Sequence, residues 1–219
     1  ETPAMKIGTA AHCAILEPDR FKTDYIAMPE GVDRRTKAGK EIYAELESSG
    51  KIILAMDDYI AVQAMRESAM THPSARELLS EGIAEQSYFS RLSGVAVKCR
   101  PDWMSGGLVV DLKTTQDASH SAFAKSVANF RYHVQHPWYS DILQSLDVDV
   151  VAFLFICVER TAPYAVGVYE LDADSVNAGR ECYQRNLDTY TQCLKSNQWP
   201  AYSPAVEVLS LPRWAMLQA

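Results

Sequence analysis

Arg100-Pro101-Asp102-Trp103-Met104-Ser105-Gly106-Gly107-Leu108-Val109-Val110-Asp111-Leu112-Lys113-Thr114-Thr115 is the stretch on which the fold turns. Apolar alternation on either side of two glycines predicts two strands folded back on each other, residues 95–102 and 108–113. Ser105-Gly106-Gly107 supplies the turn. Strand side chains alternate faces, so Val109, Asp111 and Lys113 share one face and Leu108, Val110 and Leu112 the other. Asp102 falls within about two residues of being opposite Asp111, close enough for the two carboxylates to share a cation. Hard divalent cations prefer such oxygens. A cation there would polarise a phosphodiester and acidify a water, with Lys113 orienting that water or balancing charge on the phosphate. The same residues also read as a surface hairpin with an ordinary Asp–Lys pair, worth about 0–1 kcal/mol.

A chain of 219 residues is long enough for one large domain with a substantial core. It reads as a helical part (1–80), a sheet core (81–197) and a tail (198–219). A hydrophobic content of 47% with 22% charged residues is that of a globular protein. No apolar run reaches the roughly 18 residues a membrane span needs, and there is no signal-peptide pattern. Five cysteines without Cys-x-x-Cys spacing read as reduced thiols of a cytoplasmic protein, not as a zinc site or disulfide framework. A start at Glu1 without Met predicts that the sequence is part of a longer chain. The net charge of −7 argues against a surface coated for nucleic acid. A local groove would need its cations gathered, and Arg34, Arg35, Lys37 and Lys40 form the notable basic run.

Taken in order, 5–16 reads as a helix between Pro3 and Pro18, with Met5, Gly8, His12 and Ile15 or Leu16 on one face. Gly8 admits a neighbouring backbone and puts His12 in a crowded place, as a core histidine or a ligand. The 31–40 segment is a basic turn before a helix at 38–47. It is either a solvated loop or a contact from Arg34, Arg35 or Lys37 to DNA phosphates. Asp57-Asp58 predicts a helix start, with Ile60, Ala61, Ala64 and Met65 inward. Residues 82–91 read as one strand with Ile83, Glu85, Ser87 and Phe89 on one face. Glu85 is then either an exposed strand glutamate or a site residue. A helix over 132–146 must start late or kink at Pro137, and it places Gln135 and Tyr139 on one face as packing or as site residues. A buried strand at 148–158, a second at 164–170 and an amphipathic helix from Asp172 or Asp174 to Lys195 complete the pattern. The aromatic tail after Asn197 is either strapped over the domain or used at a subunit contact.

Asp102, a turn and Asp111-Leu112-Lys113 resemble the core of the PD-(D/E)XK nuclease superfamily. The segments Gly8-Thr9-Ala10-Ala11-His12-Cys13, Tyr132-His133-Val134-Gln135, Tyr139-Ser140-Asp141 and Leu209-Ser210-Leu211-Pro212-Arg213-Trp214-Ala215 narrow the resemblance. They are similar to exodeoxyribonuclease VIII (RecE)-type enzymes, relatives of phage λ exonuclease and the RecB nuclease domain. Arg34-Arg35-Thr36, Ala38-Gly39-Lys40 and Arg185-Asn186-Leu187 also fit.

The resemblance implies an α/β (α+β) fold with a restriction-endonuclease-like core, a mixed central β-sheet flanked by helices. It implies a bacterial or phage-encoded 5′→3′ exonuclease that processively degrades double-stranded DNA from its ends and leaves 3′ single-stranded overhangs for strand annealing. Mg²⁺, with Mn²⁺ as substitute and one or two ions per subunit, would be held by His12, Asp102, Asp111 and the Leu112 carbonyl. Lys113 would aid an in-line water, Glu85 a second ion, and Gln135 and Tyr139 the catalytic groups or DNA. A ring-shaped homo-trimer or homo-tetramer around DNA and a single-strand annealing protein are the implied partners. Two other readings are a catalytically silent DNA-binding module on the same fold and a restriction-type endonuclease.

Overall fold

Small residues and prolines shape the N-terminal half of the computed structural model, which describes residues 2–216. Thr2 caps α1 (Pro3–Leu16) by accepting from the Met5 N–H, and Pro3 opens the helix where its missing N–H costs nothing. Next come α2 (Pro18–Asp24), β1 (Tyr25–Ala27), α3 (Lys37–Ser48), β2 (Ile52–Leu54), α4 (Met56–Thr71) and α5 (Pro73–Leu78). The sheet region holds β3 (Ile83–Ala84), β4 (Tyr88–Leu92), β5 (Val95–Cys99), β6 (Trp103–Ser105) and β7 (Leu108–Thr115). The chain continues through α6 (His120–Asn129), α7 (Tyr132–Gln144), β8 (Ala152–Glu159), β9 (Val166–Glu170), α8 (Ala173–Ser196) and α9 (Arg213–Met216).

The central sheet has five strands in the order β3-β6-β7-β8-β9. Only β7 and β8 run parallel, joined by the crossover through α6 and α7, and the other pairs are antiparallel. Both faces are covered, which is why β7 and β8 read as near-continuous apolar runs. Val110, Leu112, Ile156 and Val158 pack toward α1 and α4. Val109, Phe153, Phe155 and Cys157 face the other way, toward Phe123 of α6 and Ile142 and Leu143 of α7. This is the mixed sheet flanked by helices that the sequence predicts.

Several local expectations give way. The predicted arm at 95–102 is not one strand. It breaks at Arg100-Pro101, where proline offers no ladder N–H; β5 pairs with β4 in a separate two-stranded sheet, and β6 alone pairs with β7. The turn is Gly106-Gly107, both at positive φ, while Ser105 belongs to the strand. The predicted strand at 82–91 breaks at Glu85, whose φ of 55° lies in the left-handed region. Ala55, not Asp57 or Asp58, precedes the first turn of α4; Met65 is buried as expected, but Ile60 is exposed, and Val62 and Ala69 complete the buried face. The 148–158 strand starts only at Ala152. The tail is not strapped down: Tyr202, Val206, Val208 and Leu209 are nearly fully exposed.

Candidate metal centre

Five elements meet at the open edge of β7. Helix α1 approaches closely: a Cβ on Gly8 would lie 3.2 Å from Thr114 Oγ1, so the helix rests on the end of the strand. One turn on, His12 faces Leu112 and hydrogen-bonds its backbone, and its Nδ1 lies 3.8 Å from Asp102 Oδ2. Burial holds the His12 imidazole below its ordinary pKa, with Asp111 opposing and Lys113 adding to the effect. The neutral ring is the form that ligates cations.

Asp102 follows Pro101 at the point where the β6–β7 ladder ends. Trp103 pairs with Val110, so one further step in register puts Asp102 opposite Asp111. There the side chain takes over from the lost ladder: the Leu112 N–H donates to Asp102 Oδ2 at 2.8 Å. Burial, and then the Asp111 charge, push the Asp102 carboxyl well above the usual range. Two acids this close repel as anions, and a bound cation would relieve them.

Glu85 enters from the break after β3. Its N–H donates to the Asp102 carbonyl at 3.0 Å. A left-handed glutamate costs about 1–3 kcal/mol and marks a site that the surroundings over-determine. Burial raises its pKa, and Arg100 opposes this through an ion pair at 2.9 Å. One ligand atom each from His12, Glu85 and Asp102 lies within 4.8 Å of the others.

Asp111 is 1% exposed. One oxygen contacts Lys113 Nζ and the other accepts from Gln135 Nε2, so it stands beside the His12–Glu85–Asp102 set with its carboxylate already engaged. Lys113 also donates to Gln135 Oε1 at 3.3 Å and lies 4.6 Å from the Tyr132 ring centroid. Burial pulls the Lys113 pKa down, but Asp111 and Asp102 more than offset it, so the net shift is upward and the ammonium stays charged. Tyr139, one turn after Gln135 on α7, packs on Phe153, and burial raises its hydroxyl pKa, followed by the Asp111 and Asp102 charges.

The expected residues His12, Glu85, Asp102, Asp111, Leu112, Lys113 and Gln135 are thus linked by direct contacts, with Tyr139 at the margin; Leu112 takes part through its N–H to Asp102 and its backbone bond to His12, not as the carbonyl ligand expected. Arg34, Arg35 and Lys37 are engaged elsewhere. Arg34 covers the Tyr43 ring, Arg35 forks onto Asp33, and Lys37 reaches Glu41. Arg100 and Thr114 lie outside the expected site residues, yet both line the 530 Å³ cavity over the cluster. Arg100 had a legible signal, a basic residue two places before the first acid of the deciding stretch.

A donor set of one imidazole and two carboxylates, bordered by a third acid, suits an oxygen-preferring divalent cation, and the nitrogen suits Mn²⁺ as well as Mg²⁺. No helix among the described residues is long and apolar enough to cross a membrane.

Residues 1–212 match the family described as a PDDEXK-like domain of unknown function (DUF3799). No curated protein matches. A crystal structure from Eubacterium rectale, described as a "Putative exonuclease", overlays with a TM-score of 0.64 at 14% identity, covering 100% of this chain and 79% of the other. At that identity the likeness speaks to fold. A second structure, SSO0001, aligns over 81% of this chain and 83% of its own at 15% identity, but its TM-score of 0.29 carries no argument.

Proposed function

The chain belongs to the PDDEXK-like family DUF3799, and from that premise we propose that it is a divalent-cation-dependent deoxyribonuclease of the PD-(D/E)XK superfamily that works from DNA ends. The observation that carries this reading is the convergence of His12, Glu85 and Asp102 within 4.8 Å, beside the Asp111–Lys113 pair. His12, Glu85 and Asp102 would hold the cation, with Asp111 and the Leu112 backbone alongside. When bound, Mg²⁺ or Mn²⁺ supplies Lewis-acid polarisation of a phosphoryl oxygen and a lowered pKa for a nearby water.

The protein's own groups do the rest. Lys113 brings a fixed positive charge to the place where the phosphoryl oxygens gain negative charge, without reorganising. Gln135 bonds both Asp111 and Lys113, so it locks the two rotamers on which that charge depends. Tyr139 keeps its proton and remains a hydrogen-bond donor toward substrate. His12 stays neutral and holds no proton that would repel a cation.

The finer reading is a processive 5′→3′ exonuclease that leaves 3′ single-stranded overhangs, acts as a closed ring of subunits and supplies a strand-annealing partner. It is supported by the order of motifs from Gly8-Thr9-Ala10-Ala11-His12 through Asp111-Leu112-Lys113 to Gln135 and Tyr139. A ring would need only its inner wall to be basic, which suits a chain of net charge −7.

Linear and covalently closed duplex DNA, each with Mg²⁺, Mn²⁺ or chelator, test the proposal. Metal-dependent loss of linear DNA alone is expected, and end-labelled substrates read the polarity. Cutting of closed circles would make the protein an endonuclease. No metal-dependent cutting, with Asp111→Ala indistinguishable from wild type, would refute the nuclease reading.

A further inference from the structure

The two breaks around the cluster, at Glu85 and at Arg100-Pro101, release β4 and β5 from the central sheet as a hairpin of their own. A tight turn with Ser93 and Gly94 both at positive φ closes it, and its five cross-strand pairs leave no bulge. One face is anchored. Val97 and Cys99 are buried, Tyr88, Leu92 and Val95 pack on the same core, and Ser90 bonds Ser145 at the end of α7.

The opposite face carries Phe89, Arg91, Ala96, Lys98 and, just past the strand end, Arg100, all exposed. In an acidic chain this face holds Arg91, Lys98 and a large aromatic, and Arg100 at its end keeps its guanidinium 63% exposed while pairing with Glu85 at 2.9 Å. Phe89 is 69% exposed and pairs across the ladder with Lys98. Among the described residues Arg91 bonds only its own turn, at the Gly94 carbonyl. Arg100 lines both the cavity over the acidic cluster and a second one, of 350 Å³, which Phe89, Lys98 and Tyr139 also line. Arg100 therefore stands between the aromatic and the candidate metal ligands.

We propose that this hairpin face receives a single strand of DNA on its way to the cluster, with Phe89 stacking on an unpaired base and Arg91, Lys98 and Arg100 following the phosphates. The inference rests on the nuclease reading above and specifies how that site takes its substrate. An exposed aromatic flanked by cations matches single-strand recognition, because every base offers a π-face and stacking tolerates any sequence. Duplex DNA, its bases already stacked, would use the cations and leave Phe89 idle.

The test is fluorescence anisotropy with a fluorescein-labelled DNA duplex, blunt or carrying a single-stranded extension, in Ca²⁺ in place of Mg²⁺. Phe89→Ala should weaken binding of the extended probe by about 5- to 150-fold, the loss of one base–aromatic stack. Blunt-duplex binding should be unmoved, and Phe89→Trp should restore the extended probe. Arg91→Ala/Lys98→Ala should lower the slope of log affinity against log salt by about 1.4 for two lost phosphate contacts. These side chains are exposed, so melting temperatures should stay at the wild-type value. If wild type binds the extended probe and both variants bind it equally well with the same slope, the hairpin is not the strand's path, and the nuclease reading stands. If the variants behave as expected but Mg²⁺ and Mn²⁺ give no cleavage, the hairpin inference holds and the nuclease reading falls. Failure of wild type to bind any probe would sink both.

Discussion

Gly179→Ala sets two physical effects of opposite sign against each other. Inside a helix, alanine is favoured over glycine by about 0.5–1 kcal/mol, so on propensity alone the change should stabilise α8. The packing says otherwise. A Cβ on Gly179 would fall 1.7 Å from the His133 carbonyl oxygen, 2.5 Å from its carbon and 3.0 Å from the Val134 nitrogen. Pro137 explains why that carbonyl is there. Four residues on from His133, it has no N–H to offer, so the carbonyl turns outward and meets the bare Cα of Gly179. Carbon–oxygen contacts settle near 3.3–3.6 Å, so α7 and α8 would have to part by about 1.5 Å. Overpacking costs about 1–3 kcal/mol, and backbone on the receiving side places this case at the upper end. Net of propensity, Gly179→Ala should lose about 2 kcal/mol, or roughly 4–8 °C in melting temperature for a chain of this size. Thermal unfolding by circular dichroism reads it. Because α7 carries Gln135 and Tyr139, the proposed nuclease turnover should fall as well. A raised melting temperature would refute the close approach of the helices.

Three further outcomes follow from individual contacts. Lys113→Ala strands a carboxylate that is 1% exposed and should cost about 3–5 kcal/mol; adding Asp111→Asn should recover much of the loss in denaturant melts, and no recovery would mean the pair is not coupled. Burial pushes the His136 pKa down from 6.5 to about 4, and its buried Nδ1 has no partner among the described residues. The unfolded chain then binds the extra proton first as pH falls, so this contribution is whole above pH 6.5 and drains toward pH 4, by up to about 3 kcal/mol; His136→Phe should flatten stability against pH in that window. A Cβ on Gly39 would sit 2.0 Å from the Asp33 carbonyl, so Gly39→Ala should unseat the turn that presents Arg34 and Arg35, read as lost hydrogen-exchange protection at the start of α3, and retained protection would contradict it.

The elements legible in the sequence are those whose burial is set by their own periodicity. The apolar run through Val110 and Leu112 and the capped helix after Asp172 lie where their patterns place them. The misread elements were decided by distant partners. Alternation through Ile83, Glu85 and Phe89 is genuine in composition, but the Glu85 N–H donates to Asp102, seventeen residues on, and the backbone bends to do so. The continuity of 95–102 is undone by one proline. At the site, the neighbourhood of Asp102 and Asp111 was readable from register. The clasp of Gln135 on Asp111 joins residues 24 apart across a crossover, and only the motif resemblance had paired them. For the tail, the sequence offered packing over the domain or a subunit contact, and the first is excluded because none of the described residues covers Tyr202 or Leu209.

Those same two breaks connect the cluster to its surroundings. Glu85 and Asp102 meet because both ribbons leave the central sheet at one level, and the hairpin between them turns its cations outward for the same reason. The strain is local and removable. Glu85→Gly would free a left-handed backbone at φ 55°, a gain of about 1 kcal/mol or more, and would remove a carboxylate that burial disfavours. The loss is the Arg100 pair, whose guanidinium side is 63% exposed and which is worth about 0–1 kcal/mol. Stability should therefore hold or rise slightly, while Mn²⁺ affinity measured by calorimetry should fall. Both move together only if Glu85 is strained for the sake of a ligand. A variant that melts several degrees lower while binding Mn²⁺ as well as wild type would make Glu85 a structural pin and remove it from the candidate metal centre.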